Sequence, residues 1–196
     1  MSSLLEAPRC TAHITLLRER LPEKKVQHCL SVAEYLLSFS NELGLNAESA
    51  ADAGLLHDIC RKMTDAELLQ RAETCGITVS ESQHLKPGLL HGPLAAEECR
   101  RELGLDSADL HEAIYWHTTG RPELGRLGQA LYFADFAEPL RAYPEARTAR
   151  TLLDTQGFDA ALRYVAEKKI FFLPKRDVID PATSAFLRWL CPELAP

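Results

Sequence analysis

No Cys-x-x-Cys pair occurs in this chain, and no apolar run approaches the roughly 18 residues that a membrane span requires. Internal repeats and low-complexity segments are also missing. The first absence removes zinc-knuckle and thioredoxin-like readings. The six cysteines are scattered at Cys10, Cys29, Cys60, Cys75, Cys99 and Cys191. Cys29, Cys60 and Cys99 fall inside apolar helical patterns, where a free thiol behaves as a small hydrophobe, so reduced packing residues are expected. Met1 to Pro8 holds no apolar stretch behind a basic start, so no secretory signal is expected and the chain reads as cytoplasmic, with no membrane partner. Positive charge is short as well, with 22 Lys+Arg against 28 Asp+Glu, a net charge of −6. Broad nucleic-acid binding needs a basic footprint, which this balance does not provide. A small phosphorylated ligand stays compatible if positive charge is local or comes from metal. What the 196 residues do have is 46% hydrophobic content, enough for a sizeable core and against wholesale disorder.

The apolar spacing is helical almost throughout, and strand-like alternation is confined to Ile77 to Val79. Pro22 opens a helix through Val26, Leu30, Ala33, Leu36 and Leu37, which Gly44 stops. Asn46 is placed to cap a helix carrying Ala50, Ala53, Gly54, Leu55 and Leu56. Thr64 with Glu67 forms a capping box for the next. His84 to Gly92 reads as a loop, after which Pro93 restarts a helix through Cys99 to Leu103. Ser107 caps a helix that runs to His117 and breaks at Thr118 to Pro122. Leu127 to Glu138 is nearly apolar and ends before Pro139, and Phe158 to Phe172 is again helical. Asp180 and Pro181 start a last helix containing Phe186, Trp189 and Leu190, set off by the Pro-containing stretch from Pro174. The expectation is an all-α bundle of seven or so helices.

Histidine and aspartate fall where core residues belong. His57 and Asp58 adjoin on a strongly apolar helix, where two ionisable groups are expensive to bury unless paired or metal-bound. His28 sits among Val26, Leu30 and Val32, and Asp135 within Leu131 to Ala137. His91 begins a helix and His117 ends one. Singly, each has an ordinary explanation. His28 can be a hydrogen-bonded core residue, His117 a cation at a helix C-terminus, and Asp135 the partner of Arg121 or Arg141. Glu138, three residues after Asp135 on one helical face, can orient a ligand, pair with an arginine or act on water.

The order His28, His57-Asp58, His91, His117, Asp135 resembles that of the HD-domain metal-dependent phosphohydrolases, and within them the YqeK family. Ala53-Gly54-Leu55-Leu56-His57-Asp58-Ile59 is similar to the central motif, and Leu90-His91-Gly92-Pro93 to the next. The most specific match is Tyr115-Trp116-His117-Thr118-Thr119-Gly120-Arg121-Pro122, since generic HD proteins lack Thr-Thr-Gly-Arg. Tyr132 to Arg141, with Glu138-Pro139-Leu140-Arg141, resembles the final block. The likeness covers about Val26 to Arg150 and implies an HD-type helical bundle over 22–150. A helical segment over 1–21 would precede it, and C-terminal helices over 151–196 would pack on or extend it. The implied activity is symmetrical hydrolysis of diadenosine tetraphosphate to two ADP. The implied metal ligands are His28, His57, Asp58 and Asp135 for one ion, and His91 and His117 for a second, with Asp58 bridging. Iron, as a dinuclear centre, is the implied cofactor, and manganese or another divalent ion suits the same donors.

Where the family commonly has His-Asp-x-x-Lys, this chain has Arg61 followed by Lys62, and either can supply the cation that faces phosphate. With Asp58 they form the expected catalytic group. Thr118, Thr119, Arg121, Glu138 and Arg141 complete the expected substrate contacts. His13, His84 and His111 are assigned no metal role. The rival readings are another HD-type nucleotide phosphohydrolase or phosphodiesterase, a metal-containing nucleotide sensor of low turnover, and a helical interaction domain. The final helix, with Phe186 and Trp189, suits either the core or a homodimer contact.

Overall fold

The computed structural model describes residues 3–171 and 178–194. Among them are eleven α-helices, two short 3-10 turns and no strand. In chain order the helices are α1 Pro8–Arg20, α2 Glu23–Ser40, α3 Ala47–Leu56, α4 Asp65–Cys75, α5 Glu81–Leu85 and α6 His91–Arg101. They continue as α7 Ala108–Trp116, α8 Arg126–Ala137, α9 Pro144–Gln156, α10 Phe158–Phe171 and α11 Pro181–Leu190. The count exceeds the seven or so expected because α5 and α9 are not among the helices read from the sequence, and α1 is read only as part of a helical segment over 1–21. Ile77 to Val79 is irregular rather than extended into a strand.

The caps are where polar side chains precede apolar runs. Asn46, Thr64, Ser107 and Asp180 each accept a backbone N–H of their helix, and Thr64 and Glu67 form the reciprocal box. One region differs from expectation. The loop anticipated over His84 to Gly92 is part of α5, a 3-10 turn at Pro87–Leu90, and the first residues of α6. Ser80 and Gln83 form a second capping box that starts α5, and His91 opens α6 two residues before Pro93. Pro22 caps α2 from outside, the helix beginning at Glu23. The expected end of α10 at Phe172, and the stretch from Pro174, lie partly outside the described residues.

Helix α8 runs through the centre, with Leu131, Tyr132, Phe133 and Ala134 fully buried. Helices α2, α3, α7, α9 and α10 pack against it. Its lower half meets an aromatic cluster in which Phe39, Phe133 and Phe158 sit 5.7–6.0 Å apart. The tightest approach is between α2 and α3. A Cβ placed on Gly54 would stand 2.7 Å from the backbone nitrogen and 2.8 Å from the Cβ of Ala33. Flanking Ala50 and Ala53 are also small, so α3 presents a flat face that lets the two backbones close together. At the other end, Phe186 of α11 fills the space beside Gly120, whose φ is +68° and where an added Cβ would overlap the Phe186 ring. Phe186 meets Tyr132 edge to face at 5.1 Å, so the last helix is seated on the core rather than set apart from it. All six cysteines are free, and all but Cys75 are buried.

Two stability tests follow. Gly54→Ala should destabilise the fold by about 1–3 kcal/mol, the usual cost of overpacking, as read by urea titration. Glu97 accepts hydrogen bonds from Arg100, Arg101 and His111, joining α6 to α7. Burial would push its carboxyl up, but these three donors outweigh that and hold it down at about 2, against 4.5 ordinarily. That stabilisation is complete above pH 4.5 and lost as pH falls through about 2. Glu97→Gln should therefore cost about 2 kcal/mol at pH 7, and the gap to wild type should narrow as the medium is acidified.

Candidate metal centre and its cavity

Three helix ends build the centre by one local device. His57 follows the last residue of α3, His117 follows the last residue of α7, and His91 stands where the 3-10 turn hands over to α6. At such ends the final carbonyls have no intrahelical partner. Each histidine takes one: Nδ1 donates to the carbonyl three residues earlier, on Gly54 at 2.9 Å, Gly88 at 2.5 Å and Ile114 at 2.7 Å. The bond fixes the tautomer and leaves Nε2 as a bare lone pair facing inward.

Those lone pairs converge on Asp58, the residue after His57. Asp58 Oδ1 lies 3.2 Å from His91 Nε2 and 4.0 Å from His117 Nε2, while Oδ2 lies 4.0 Å from His57 Nε2. His91 and His117 face each other Nε2 to Nε2 at 3.0 Å. With both Nδ1 atoms already donating, that contact sets two acceptors against each other. His57 Nε2 is fully buried with no hydrogen-bond partner. Buried lone pairs without donors are costly; the Thr118 hydroxyl has one proton and can serve only one of His91 and His117, and a cation among them would remove the remaining cost. Two sets of mutually close ligand atoms result, His28–His57–Asp58 and Asp58–His91–His117, sharing the aspartate. Imidazoles and carboxylates without thiolate suit a divalent first-row ion.

His28, from the close-packed α2, completes the first set. Its Nδ1 lies 3.1 Å from Glu138 Oε1 and its Nε2 3.1 Å from Asp135 Oδ1. Asp135 Oδ1 is also 3.8 Å from His57 Nε2, so the carboxylate that interrupts apolar α8 faces the same point. Glu138 is placed behind, not within, the ligand group. Ser31 donates to its Oε2 at 2.6 Å and the Leu140 N–H to the same oxygen at 2.6 Å. Of its expected roles, two are observed: it orients His28 and pairs with an arginine, Arg141.

The electrostatics match. Burial pushes the imidazoles of His57 and His117 below their ordinary range, favouring the neutral form that ligates a metal. Burial would raise Asp58 and Asp135, but the histidines around Asp58, and His28 together with the Lys169 ammonium beside Asp135, outweigh it and hold both carboxyls well below the usual range.

A cavity of about 300 Å³ opens onto the cluster, and Arg61, His91, Thr118, Thr119 and Asp135 reach it. The Thr118 hydroxyl stands 3.3 Å from His91 Nε2 and 3.1 Å from His117 Nε2. Other expected contacts are not brought there. Lys62 lines a separate depression with Arg20, Arg71 and Glu98, because it follows Arg61 on the turn after α3 and points the other way. Arg121 is drawn aside by Glu112, 3.2 Å away, and by the Pro122 carbonyl. Arg141 reaches Asp135 at 3.4 Å and Glu138 at 3.6 Å, bracing carboxylates rather than entering the cavity. Neither His13, beside Asp52, nor His111, beside Glu97, is near. Two cations at the site were not anticipated. Lys25 donates to Asp58 Oδ2 at 2.9 Å, and the i, i+3 spacing to His28 was the available signal. Lys169 reaches the cavity from α10, and its sequence context, Lys168-Lys169 near a helix end, reads as surface.

A model described as the HD domain matches residues 26–152. The symmetrical bis(5'-nucleosyl)-tetraphosphatase of Bacillus subtilis (strain 168) is 27% identical over 177 residues, 90% of this chain and 95% of that protein. The enzyme of the same name from Staphylococcus aureus is 28% identical, covering 83% of this chain and 84% of its own length. A crystal structure from Clostridium acetobutylicum, described as a predicted HD superfamily hydrolase involved in NAD metabolism, superposes with a TM-score of 0.87. It shares 26% identity and covers 93% of this chain and 97% of its own.

If a divalent ion satisfies these lone pairs, chelation should lower the melting temperature by several degrees and re-addition restore it. Glu138→Ala should weaken metal binding about 10–100-fold by freeing His28 to turn, measured by competition with a metallochromic chelator.

Proposed function

The chain belongs to the HD domain family, and from that premise we propose that it hydrolyses diadenosine tetraphosphate symmetrically to two ADP. The observation that carries the reading is the pair of ligand sets hinged on Asp58 beside a cavity that holds Thr118. Relatives bearing that activity in their names match over most of their length and of this chain. We assign His28, His57, Asp58 and Asp135 to one ion and Asp58, His91 and His117 to the other, with iron the ion proposed and manganese suited to the same donors. The proposed ligand set falls in the domain proposed over 22–150, and Lys169 and Thr183, from the C-terminal helices proposed over 151–196, line its cavity.

Bound there, divalent ions would bring the pKa of a water from ~15.7 to about 7 and screen phosphate charge. The residues do the rest. Arg61, three positions after Asp58, presents a guanidinium whose two parallel N–H groups fit phosphate oxygens. Thr118 offers a hydroxyl at the ligand nitrogens, where it orients a phosphoryl oxygen or the attacking water. In the reaction the water oxygen bonds to one of the two inner phosphorus atoms, the central P–O–P bridge breaks, and the bridging oxygen leaves on the second ADP. The leaving phosphate is stable as an anion at neutral pH, so no dedicated general acid is needed.

Ion-exchange analysis of products from metal-loaded protein and diadenosine tetraphosphate should show ADP alone, with Asp58→Ala inactive. ATP with AMP would retain the hydrolase and refute symmetrical cleavage. Intact substrate over hours, with metal bound, would refute the activity.

A further inference from the structure

Lys169 lies on α10, beyond the 26–152 stretch that matches the HD domain. Its side chain is only 16% exposed, yet no carboxylate pairs with it closely. Asp135 Oδ2 is 3.8 Å from the ammonium, outside hydrogen-bond range. Among the described residues its hydrogen bond is to the His117 carbonyl, at 3.3 Å. Beneath it the Tyr132 ring centroid lies 3.6 Å away, a cation–π contact with a ring that is itself fully buried. An ammonium carries three protons and accepts nothing; one is taken by the His117 carbonyl and the Tyr132 ring engages the charge from below, which leaves donor capacity at the cavity that Lys169 lines with Arg61, His91 and Thr118.

The placement is specific. Arg61 adjoins Asp58, Nε to Oδ1 4.0 Å, and Lys169 adjoins Asp135, so the two cations stand by the two different carboxylates of the cluster. We propose that Lys169 is a catalytic residue of this site, its ammonium binding a phosphate oxygen of the substrate on the Asp135 side while Arg61 binds one on the Asp58 side. The polyphosphate then crosses the cluster between two fixed positive charges, which centres the scissile bridge. A charge held by a ring and a backbone carbonyl, rather than by a tight ion pair, remains available to an incoming anion. The inference rests on the phosphohydrolase reading for its substrate, but not for its test.

The test compares Lys169→Met and Lys169→Ala with wild type in metal content, turnover of diadenosine tetraphosphate and affinity for ADP. Metal content should be unchanged in both. Turnover should fall about 10–100-fold, and ADP should bind about tenfold more weakly, as expected for one charge-assisted hydrogen bond. Added methylammonium should restore part of the turnover of Lys169→Ala and none of that of Lys169→Met, whose side chain fills the space. Metal lost in proportion to activity would make Lys169 a counter-ion of Asp135 and overturn the proposal. ADP affinity unchanged in Lys169→Met would overturn it too. Wild-type protein that holds metal but leaves diadenosine tetraphosphate intact would refute the parent activity alone, and the ADP affinities would still decide the role of Lys169.

Discussion

Three histidines tie Nδ1 to the carbonyl three residues back and so cannot turn their Nε2 lone pairs away from Asp58. The constraint costs the backbone nothing, because helix ends have carbonyls to spare. It also removes the ordinary escape of a buried imidazole, which is to flip until a donor meets each acceptor. Three inward lone pairs and a carboxylate in one buried volume have no neutral solution among themselves, and the facing Nε2 atoms of His91 and His117 show the consequence. The fold stores this demand for a cation in short loops and caps, not in long-range ion pairs.

Packing decides whether the fourth imidazole can join. His28 and His57 sit on neighbouring helices with ring centroids 5.4 Å apart. That separation is reached because α3 meets α2 through Gly54 and its alanines, so the backbones approach before any side chain intervenes. The same glycine supplies the carbonyl that holds His57 Nδ1. One small residue therefore fixes both the distance between two candidate ligands and the orientation of one of them.

The amino-acid pattern made part of this legible. Apolar spacing and capping residues marked most helices, and ionisable residues inside apolar runs marked the candidate ligands, since nothing but pairing or a metal excuses Asp135 amid Tyr132, Phe133 and Phe136. What stayed hidden depends on rotation and on distance along the chain. Arg61 and Lys62 are adjacent, and only the turn after α3 sends one to the cavity and the other to a different depression. Arg121 belongs to the most distinctive motif, yet Glu112 from the preceding helix takes it. Lys169 is 34 residues past Asp135 on a helix with a charged outer face, and its inward turn follows from how α10 packs against α8.

The acidic balance of the chain can be reconciled with a highly anionic substrate through the charge of this one site. Asp58, Asp135 and Glu138 carry three negative charges, and Lys25, Arg61, Lys169 and Arg141 bring four positive ones within 4.0 Å of them. Without metal the cluster is close to neutral, and Lys25 is engaged with Asp58 rather than free for phosphate. Divalent ions held among the histidines would add positive charge that no further carboxylate offsets, and would compete with Lys25 for Asp58. Bound ions would add to the attraction that Arg61 and Lys169 already offer a polyphosphate, and would centre it at the point of reaction. A basic surface would draw nucleic acid and every other polyanion to the chain, whereas positive charge confined to the cavity draws only anions thin enough to enter it.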